Sequence, residues 1–525
     1  MSKKPIGLPQ MSVLSLALCA VLAHAQSQPA TPDQPQAEGA AAPASAAVPV
    51  QRVPYLSEAM KTQIRNEIKE EILTQARAER WGVPNASPAW ADRIKIDGDL
   101  RYRHQADRPS KDNTPPYVYL GAEGANDNGI SRAPDFAAYN NSGYATASTE
   151  DKRDRERLRL RLGLTAKVSD EVGVGVRLAT GNTNDRVSTN QTLGQGFNKY
   201  QLLVDRAFIR VDPLESLTVH AGRMPNPWFA TEMVWSDNLN FEGLAATLRR
   251  VPEEGTFVPF ATMGWFPLRE ASKPARGSRA LTGAQVGLSW EPASRMRVKA
   301  GLAIYSYKNI AGQQDLDYIT DGTQVTGTGP TYGQYEYAAN MRQKGNTVFE
   351  TNPAFDRNQS PVWGLAYQFR PMVLTLSAEL THFSPYSLLL SAEYARNTAF
   401  DVGNFHQRAG AAYASVNPGG KDSGYHLKLA FGSPEVREEG QWQVATSYRH
   451  VGSDAVLDAF TDGDLGLGGT NLKGFTMGAT YGLYRNTALG ARYLSAQTIE
   501  TPLNASYPDA KYKINTLQVD LNVRF

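Results

Sequence analysis

Residues 513–525 read Lys-Ile-Asn-Thr-Leu-Gln-Val-Asp-Leu-Asn-Val-Arg-Phe, and the alternation of apolar and polar side chains runs to the last residue. With a two-residue period, Leu517, Val519, Leu521, Val523 and Phe525 share one face, while Thr516, Gln518, Asp520, Asn522 and Arg524 share the other. Such a strand can meet lipid on one side and water on the other. The edge strand of a soluble sandwich has the same pattern, so the terminus alone does not decide. Two further features do: an export signal, and the recurrence of similar strands along most of the chain.

The export signal combines a basic start (Lys3, Lys4), an apolar stretch over residues 11–22, and a small-x-small cleavage site at Ala23-His24-Ala25. Residues 1–25 therefore read as a signal peptide and Gln26 as the mature start. A transmembrane helix is disfavoured, because a span needs about 20 apolar residues and a Pro/Gln/Ala-rich tract follows. Lipidation at Cys19 is disfavoured by Leu18 before it and by the apolar run after it. Removal of Cys19 leaves no cysteine, hence no disulfide framework, thiolate metal site or haem attachment.

Composition then narrows the class. A chain of 525 residues with no second apolar run of helical-span length, plentiful glycine and a mean hydropathy of −0.42 is not a helical membrane protein. A transmembrane β-barrel averages to polar, because each strand spans in about 10 residues and half of them face a wet lumen. The net charge of +2 lacks the basic excess of a nucleic-acid binder.

Residues 26–54, with six prolines among Ala and Gln, read as a disordered linker. Residues 55–84 read as a periplasmic amphipathic helical segment: Ser57 is the N-cap, Met60, Ile64, Ile68 and Ile72 form a stripe, and Trp81-Gly82-Val83-Pro84 is the stop signal. The stripe's spacing of four throughout does not sustain a coiled-coil heptad. The helix could dock beneath the barrel, bind a partner or act as a spacer.

Residues 93–525 are the barrel. Period two dominates from Ile94, in about eighteen segments from residues 94–104 to residues 513–525. Among them are 361–370, 386–395 and 407–415; the last two alternate least clearly, so the expected range is 16 to 18 strands with 18 the best count. An even number is expected. Tight joins at residues 169–170, 212–215, 291–294, 370–371 and 484–486 alternate with long polar stretches at 105–154, 183–199, 309–358 and 451–471. That asymmetry is the one outer-membrane barrels show between periplasmic turns and external loops.

The lumen follows from charge. Arg155, Arg157, Arg159 and Arg161 alternate with leucines, and an arginine facing lipid at mid-membrane would cost about 2–4 kcal/mol. They must point inward. The same parity turns Arg177, Arg297, Lys299, Lys95, Arg101, Arg103, Lys428 and Arg449 inward, against fewer inward acids at Asp97, Asp99, Glu379 and Asp520. A positive wall concentrates anions. Alternatively, the arginines pair with acids on a loop folded into the barrel. Residues 225–239, with Trp228, Glu232, Trp235 and Asp237, have the best position for that constriction loop, and residues 309–358 are the rival.

No catalytic constellation is legible. The histidines are scattered, without a His-x-x-x-His pair or a Gly-x-Ser-x-Gly elbow. Neither a cofactor nor a metal site is expected; Asp458, Asp462 and Asp464 could bind a hard cation, but their spacing is not that of an EF-hand. Aromatics near strand ends, among them Trp265, Trp290, Trp442 and Tyr493, fit interfacial girdles.

Taken together, the signal peptide, the linker, Arg80-Trp81-Gly82, the opening strand from Ile96 to Arg103, Asp205-Arg206-Ala207-Phe208, Ala221-Gly222-Arg223-Met224-Pro225-Asn226-Pro227 and terminal Phe525 resemble the putative-porin family of Gram-negative outer membranes, over about residues 57–525. The resemblance implies passive diffusion of small hydrophilic solutes and assigns no selectivity residue. The expectation is therefore an all-β transmembrane antiparallel barrel in the outer membrane, its N-terminal segment in the periplasm, with weak anion preference. Its partners would be outer-membrane lipid, small solutes and the barrel-assembly machinery, the last through the C-terminal strand ending in Phe525. A homotrimer stays open, and no nucleic acid is expected. The alternatives are a scaffold or adhesin, or an outer-membrane hydrolase with Ser377 or Ser391 near His382, each with a plugged lumen.

Overall fold

The computed structural model describes residues 58–78, 93–114, 130–132, 151–250, 257–270, 277–293, 295–352, 362–500 and 511–525. The signal peptide, the linker, Ser57 and the stop signal at residues 81–84 lie outside the described residues. The chain divides into two compact units, residues 1–86 and 87–525. The first holds helix α1, Glu58–Ala78, on which Ile68 and Ile72 are exposed.

The second unit is a closed antiparallel barrel of sixteen strands. They are β1 (Ile94–Pro109), β2 (Arg153–Lys167), β3 (Val172–Ala179), β4 (Leu203–Leu214), β5 (Leu217–Pro225), β6 (Asn240–Arg249), β7 (Val258–Arg269) and β8 (Arg279–Ala293). The second half comprises β9 (Met296–Lys308), β10 (Pro371–Leu380), β11 (Ser387–Asn397), β12 (Ser423–Gly432), β13 (Trp442–Val451), β14 (Leu472–Tyr484), β15 (Thr487–Thr498) and β16 (Lys513–Arg524). Each pairs with its successor, and β16 returns to β1. One extra two-residue strand, Gln191–Thr192, joins the sheet against Arg157 and Leu158.

Closure satisfies every edge, which hydrocarbon demands because it offers unpaired backbone groups no partner. The seam runs from Asp99 opposite Arg524 to Pro109 opposite Ile514. Beyond it Gly98 and Phe525 exchange backbone hydrogen bonds of 2.9 and 3.1 Å. A side-chain carbon at Gly98 would stand 2.5 Å from the Phe525 ring, so only glycine lets the terminal ring lie across β1.

The two faces of the strands differ as the alternation requires. Leu162, Leu164, Val176, Leu302, Ile304, Leu374 and Leu376 are exposed on the outer face, whereas Arg103, Gln105 and Gln518 on the inner face are buried. One end of the barrel has short joins, such as residues 168–171, 215–216 and 485–486. The other has the long connections, including residues 110–152, 180–202, 226–239, 309–370, 398–422 and 452–471. Both barrel termini lie at the short-turn end, since the strand number is even.

Sixteen strands correct the best count of eighteen. Residues 361–370 do not span; only Trp363–Leu365 is extended, and it pairs with Val348–Glu350, which in turn pairs with Ile130–Ser131. Leu365, Ala366, Tyr367 and Phe369 are all fully buried, so the alternation there reflects a core among the loops and not a lipid face. The supposed join at residues 370–371 is accordingly the point where that long connection enters β10.

Residues 407–415 do not span either. They fall in helix α2, Val402–Ala409, and a 3-10 turn at Ala411–Tyr413. Asp401 caps α2 by accepting from the Asn404 amide at 2.9 Å, Phe405 and Ala409 bury its inner face, and Gly410 ends it at φ +86°.

Candidate functional site

The inner wall of β1, β2 and β16 carries the densest charge in the barrel. Register places Arg101 opposite Arg159 and Arg103 opposite Arg157, a juxtaposition that needs anions between the guanidinium groups. Asp99 supplies one, accepting from Arg159 Nη2 at 2.6 Å and Arg161 Nε at 2.5 Å. Asp520 supplies another, 2.6 Å from Arg103 Nε and 3.7 Å from Arg101 Nη1. Arg155 meets Asp107 at 2.5 Å, and Arg177 Nε meets Asp205 at 2.5 Å. Arg157 has no carboxylate partner among the described residues; it donates to Gln105 Oε1 at 3.1 Å.

The remaining inward cations are spread around the wall. Lys299 stands over the rings of Phe229 and Phe260, at 4.2 and 5.0 Å from their centroids. Arg297 pairs with Glu291 at 2.8 Å and Glu379 at 3.6 Å near the short-turn end, and Lys95 is exposed. Arg449 reaches Asp462 at 3.5 Å. The wall cations are thus largely matched by carboxylates, several from the wall itself.

The connection between β5 and β6, residues 226–239, folds into the barrel. Trp228, Met233, Val234, Trp235 and Leu239 are buried. Trp228 packs edge-on to Tyr305 at 5.2 Å, and Trp235 packs on Tyr305 at 5.0 Å and on Phe241 at 4.9 Å. Polar anchors fix the backbone. Phe229 N donates to Gln285 Oε1 at 2.9 Å, and Gln285 Nε2 donates to the Phe229 carbonyl at 2.7 Å. Thr231 donates to Glu393 through its amide and its hydroxyl, at 2.8 and 2.6 Å. Glu232 faces Lys428 Nζ at 3.2 Å; although burial pushes its carboxyl up, Lys428, His426 and Arg449 hold it down at about 2. Asp237, in contrast, is exposed and has no ion-pair partner among the described residues.

Of the rival segment, residues 309–358, the described part, residues 309–352, also packs inward and meets residues 452–471. The Tyr337 hydroxyl donates to Asp458, and Asn346 Nδ2 donates to the carbonyls of Ser453 and Val456 at 2.6 and 2.9 Å. Thr347 donates to Asp454 through its amide at 2.9 Å and its hydroxyl at 2.6 Å. Asp464 joins this loop to the wall, 2.5 Å from Arg492 and 3.3 Å from Arg103, and those cations with Arg101 hold it far below the usual carboxylate range against the upward push of burial. Asp458, Asp462 and Asp464 are therefore each engaged by protein donors and do not converge; no metal-binding cluster occurs among the described residues.

The three inward connections share one apolar core, which includes Trp228, Trp235, Tyr305, Tyr337, Phe369 and Phe460. It fills the side of the lumen lined by β5 to β11. A cavity of about 580 Å3 lies on the arginine side, and a second of about 530 Å3 lies between β3 to β8 and the edge of that core; both touch Arg186, Asn238 and Met341. Several polar residues of this geometry were not expected from the sequence. Asp205 and Glu393 follow the inward parity of their strands, and Asp107 was hidden because β1 extends beyond the anticipated residue 104 to Pro109. The partnership of Asp464 with Arg103 and Arg492 has no local signal, since it joins positions far apart in the chain.

A family model described as "putative porin" matches residues 17–525. Solved structures with a similar arrangement include the outer membrane channel DcaP of Acinetobacter baumannii, 8% identical, covering 82% of this chain and 97% of that one with a TM-score of 0.41. OprB of Pseudomonas putida is 10% identical, covering 85% and 97% with a TM-score of 0.44. An anion-selective porin from Comamonas acidovorans is 11% identical, covering 82% and 99% with a TM-score of 0.37. No curated protein matches the chain.

Proposed function

The chain belongs to the putative-porin family, and from that premise we propose that it is an outer-membrane diffusion channel for small hydrophilic solutes, with a weak preference for anions. The observation that carries the proposal is the asymmetry of the lumen: a packed apolar core on one side, and on the other a cavity of about 580 Å3 bordered by Arg101, Arg155 and Arg157 of β1 and β2. Water and solute would move along the arginine side. The connection at residues 226–239, with Trp228, Glu232 and Trp235, would set the constriction, and Asp237 would add one negative charge to its surface. Arg101, Arg157, Arg159, Arg161 and Arg177 would line the path, with Lys95, Arg297, Lys299 and Arg449 biasing the field from further away.

Charge pairing limits the selectivity. Each carboxylate beside an arginine cancels most of its field at distances beyond the separation of the pair, and salt screens the remainder over about 10 Å at 0.1 M. A modest anion preference, strongest at low salt, is the consequence. Reconstitution in planar bilayers under a salt gradient tests this: the zero-current potential should report anion preference at low salt, and cation preference would defeat it. The depth of loop packing favours one second reading, a plugged scaffold, which predicts a folded barrel without conductance.

A further inference from the structure

The guanidinium groups of the arginine side divide by partner. Arg101, Arg103, Arg155, Arg159 and Arg161 each have a carboxylate within 4 Å. Arg157 and Arg186 make other bonds. Arg157 donates once to Gln105, and its Nε is buried without a partner. Arg186 spends one N–H on the Met341 carbonyl at 2.9 Å. Both border the cavity of about 580 Å3. Arg186 also borders the adjoining cavity of about 530 Å3, whose wall includes Trp235, Phe241, Phe266 and Leu268.

Neither Arg157 nor Arg186 has a carboxylate within 4 Å among the described residues, although Asp185 attracts both and Asp464 attracts Arg157 from further off. A guanidinium so placed on a cavity is matched by a planar oxyanion, to which it offers two parallel N–H bonds. The neighbouring aromatic wall offers no such bonds and instead favours an apolar body. We propose that the two cavities together form a binding site for a small organic monoacid. Its carboxylate is held by Arg157 and Arg186, and its apolar or aromatic body lies toward Trp235, Phe241 and Phe266. Asp185 borders both cavities and Asp464 the first, so a second carboxylate on the ligand meets like charge. The inference rests on the diffusion reading and adds to it a resting place for one class of solute.

Benzoate is the probe. In planar bilayers containing the full chain, benzoate should reduce the KCl current saturably. Arg157→Gln and Arg186→Gln should each weaken that block about tenfold, the loss of one charge-assisted hydrogen bond. Arg108→Gln, at an outward-facing pair with Asp154, should leave it unchanged. Acetate, benzyl alcohol and phthalate, which lack the body, the charge and the single charge respectively, should block at least tenfold more weakly. A conducting channel that benzoate does not block saturably, or block in both glutamine variants as strong as in the unmodified channel with heat-modifiable folding intact, overturns the site. Absence of KCl conductance from folded protein defeats the diffusion reading instead, and calorimetric titration of benzoate into the detergent-solubilised chain and its Arg157→Gln variant then decides the site separately.

Discussion

Glu393 shows how one inner-wall side chain holds a loop. It accepts two bonds from Thr231 and a third from Thr375 Oγ1 at 2.9 Å, all within a buried pocket. Glu393→Ala strands those donors, and each unsatisfied buried group costs about 1–3 kcal/mol. The expected outcome is faster amide exchange over residues 226–239 and a noisier current, with Glu393→Gln intermediate. Two loop acids give the docked loops a pH optimum. Burial pushes the Asp454 carboxyl up to about 6 against the opposing Arg132. The docked state therefore binds a proton more readily than the undocked one, and its stability falls as pH rises from the ordinary carboxylate value to about 6, by on the order of 3 kcal/mol. Glu232, held at about 2, acts oppositely: its contribution is present above the ordinary glutamate value and is lost as pH falls toward 2. Exchange protection of residues 226–239 and 452–471, corrected for intrinsic rates, should peak at about pH 4–5, and Asp454→Asn should flatten the alkaline side. The arginine ladder was legible because lipid forbids the alternative orientation. Asp464 was not, because its position depends on how a loop returns to a wall that lies more than three hundred residues away in the chain at Arg103.

At the level of elements, alternation identified the strands wherever one face meets lipid and the other water, since both solvents then select residue type. It misled where an extended or helical segment is buried by other loops. Leu365, Tyr367 and Phe369 alternate as a spanning strand would, yet their apolar sides enter a protein core. In α2, the cap at Asp401 and the stop at Gly410 were better guides than any period. The terminal strand is the strongest case for legibility, and it is the element whose loss is most informative. Deleting Phe525 removes two backbone bonds to Gly98 and the ring lying across β1. The yield of folded, heat-modifiable protein in the outer membrane should fall. Normal levels after the deletion would show that the aromatic terminus is not needed for assembly.

For the whole molecule, the barrel closes without any residue before Ile94, because β16 alone completes the edge of β1. Protein beginning near Trp81 should therefore fold and conduct; loss of the channel on that truncation would assign a structural role to α1. Selectivity is the property that integrates the entire wall. Arg159 and Arg161 share Asp99, so replacing both by Gln removes two positive charges and leaves that carboxylate uncompensated. The expected result is a zero-current potential shifted toward cations with the barrel folded, and the shift should shrink as salt rises, because the screening length contracts from about 30 Å at 0.01 M to about 10 Å at 0.1 M. Glu232 and Asp237 offer a contrast, since neither makes an ion pair with these two arginines. If the inward loop rather than Asp99 were their effective counter-charge, the double substitution would loosen the loop and raise conductance with little change in potential. Measuring both quantities on the same variant separates a wall that steers solutes by charge from one whose charges serve to fasten a loop.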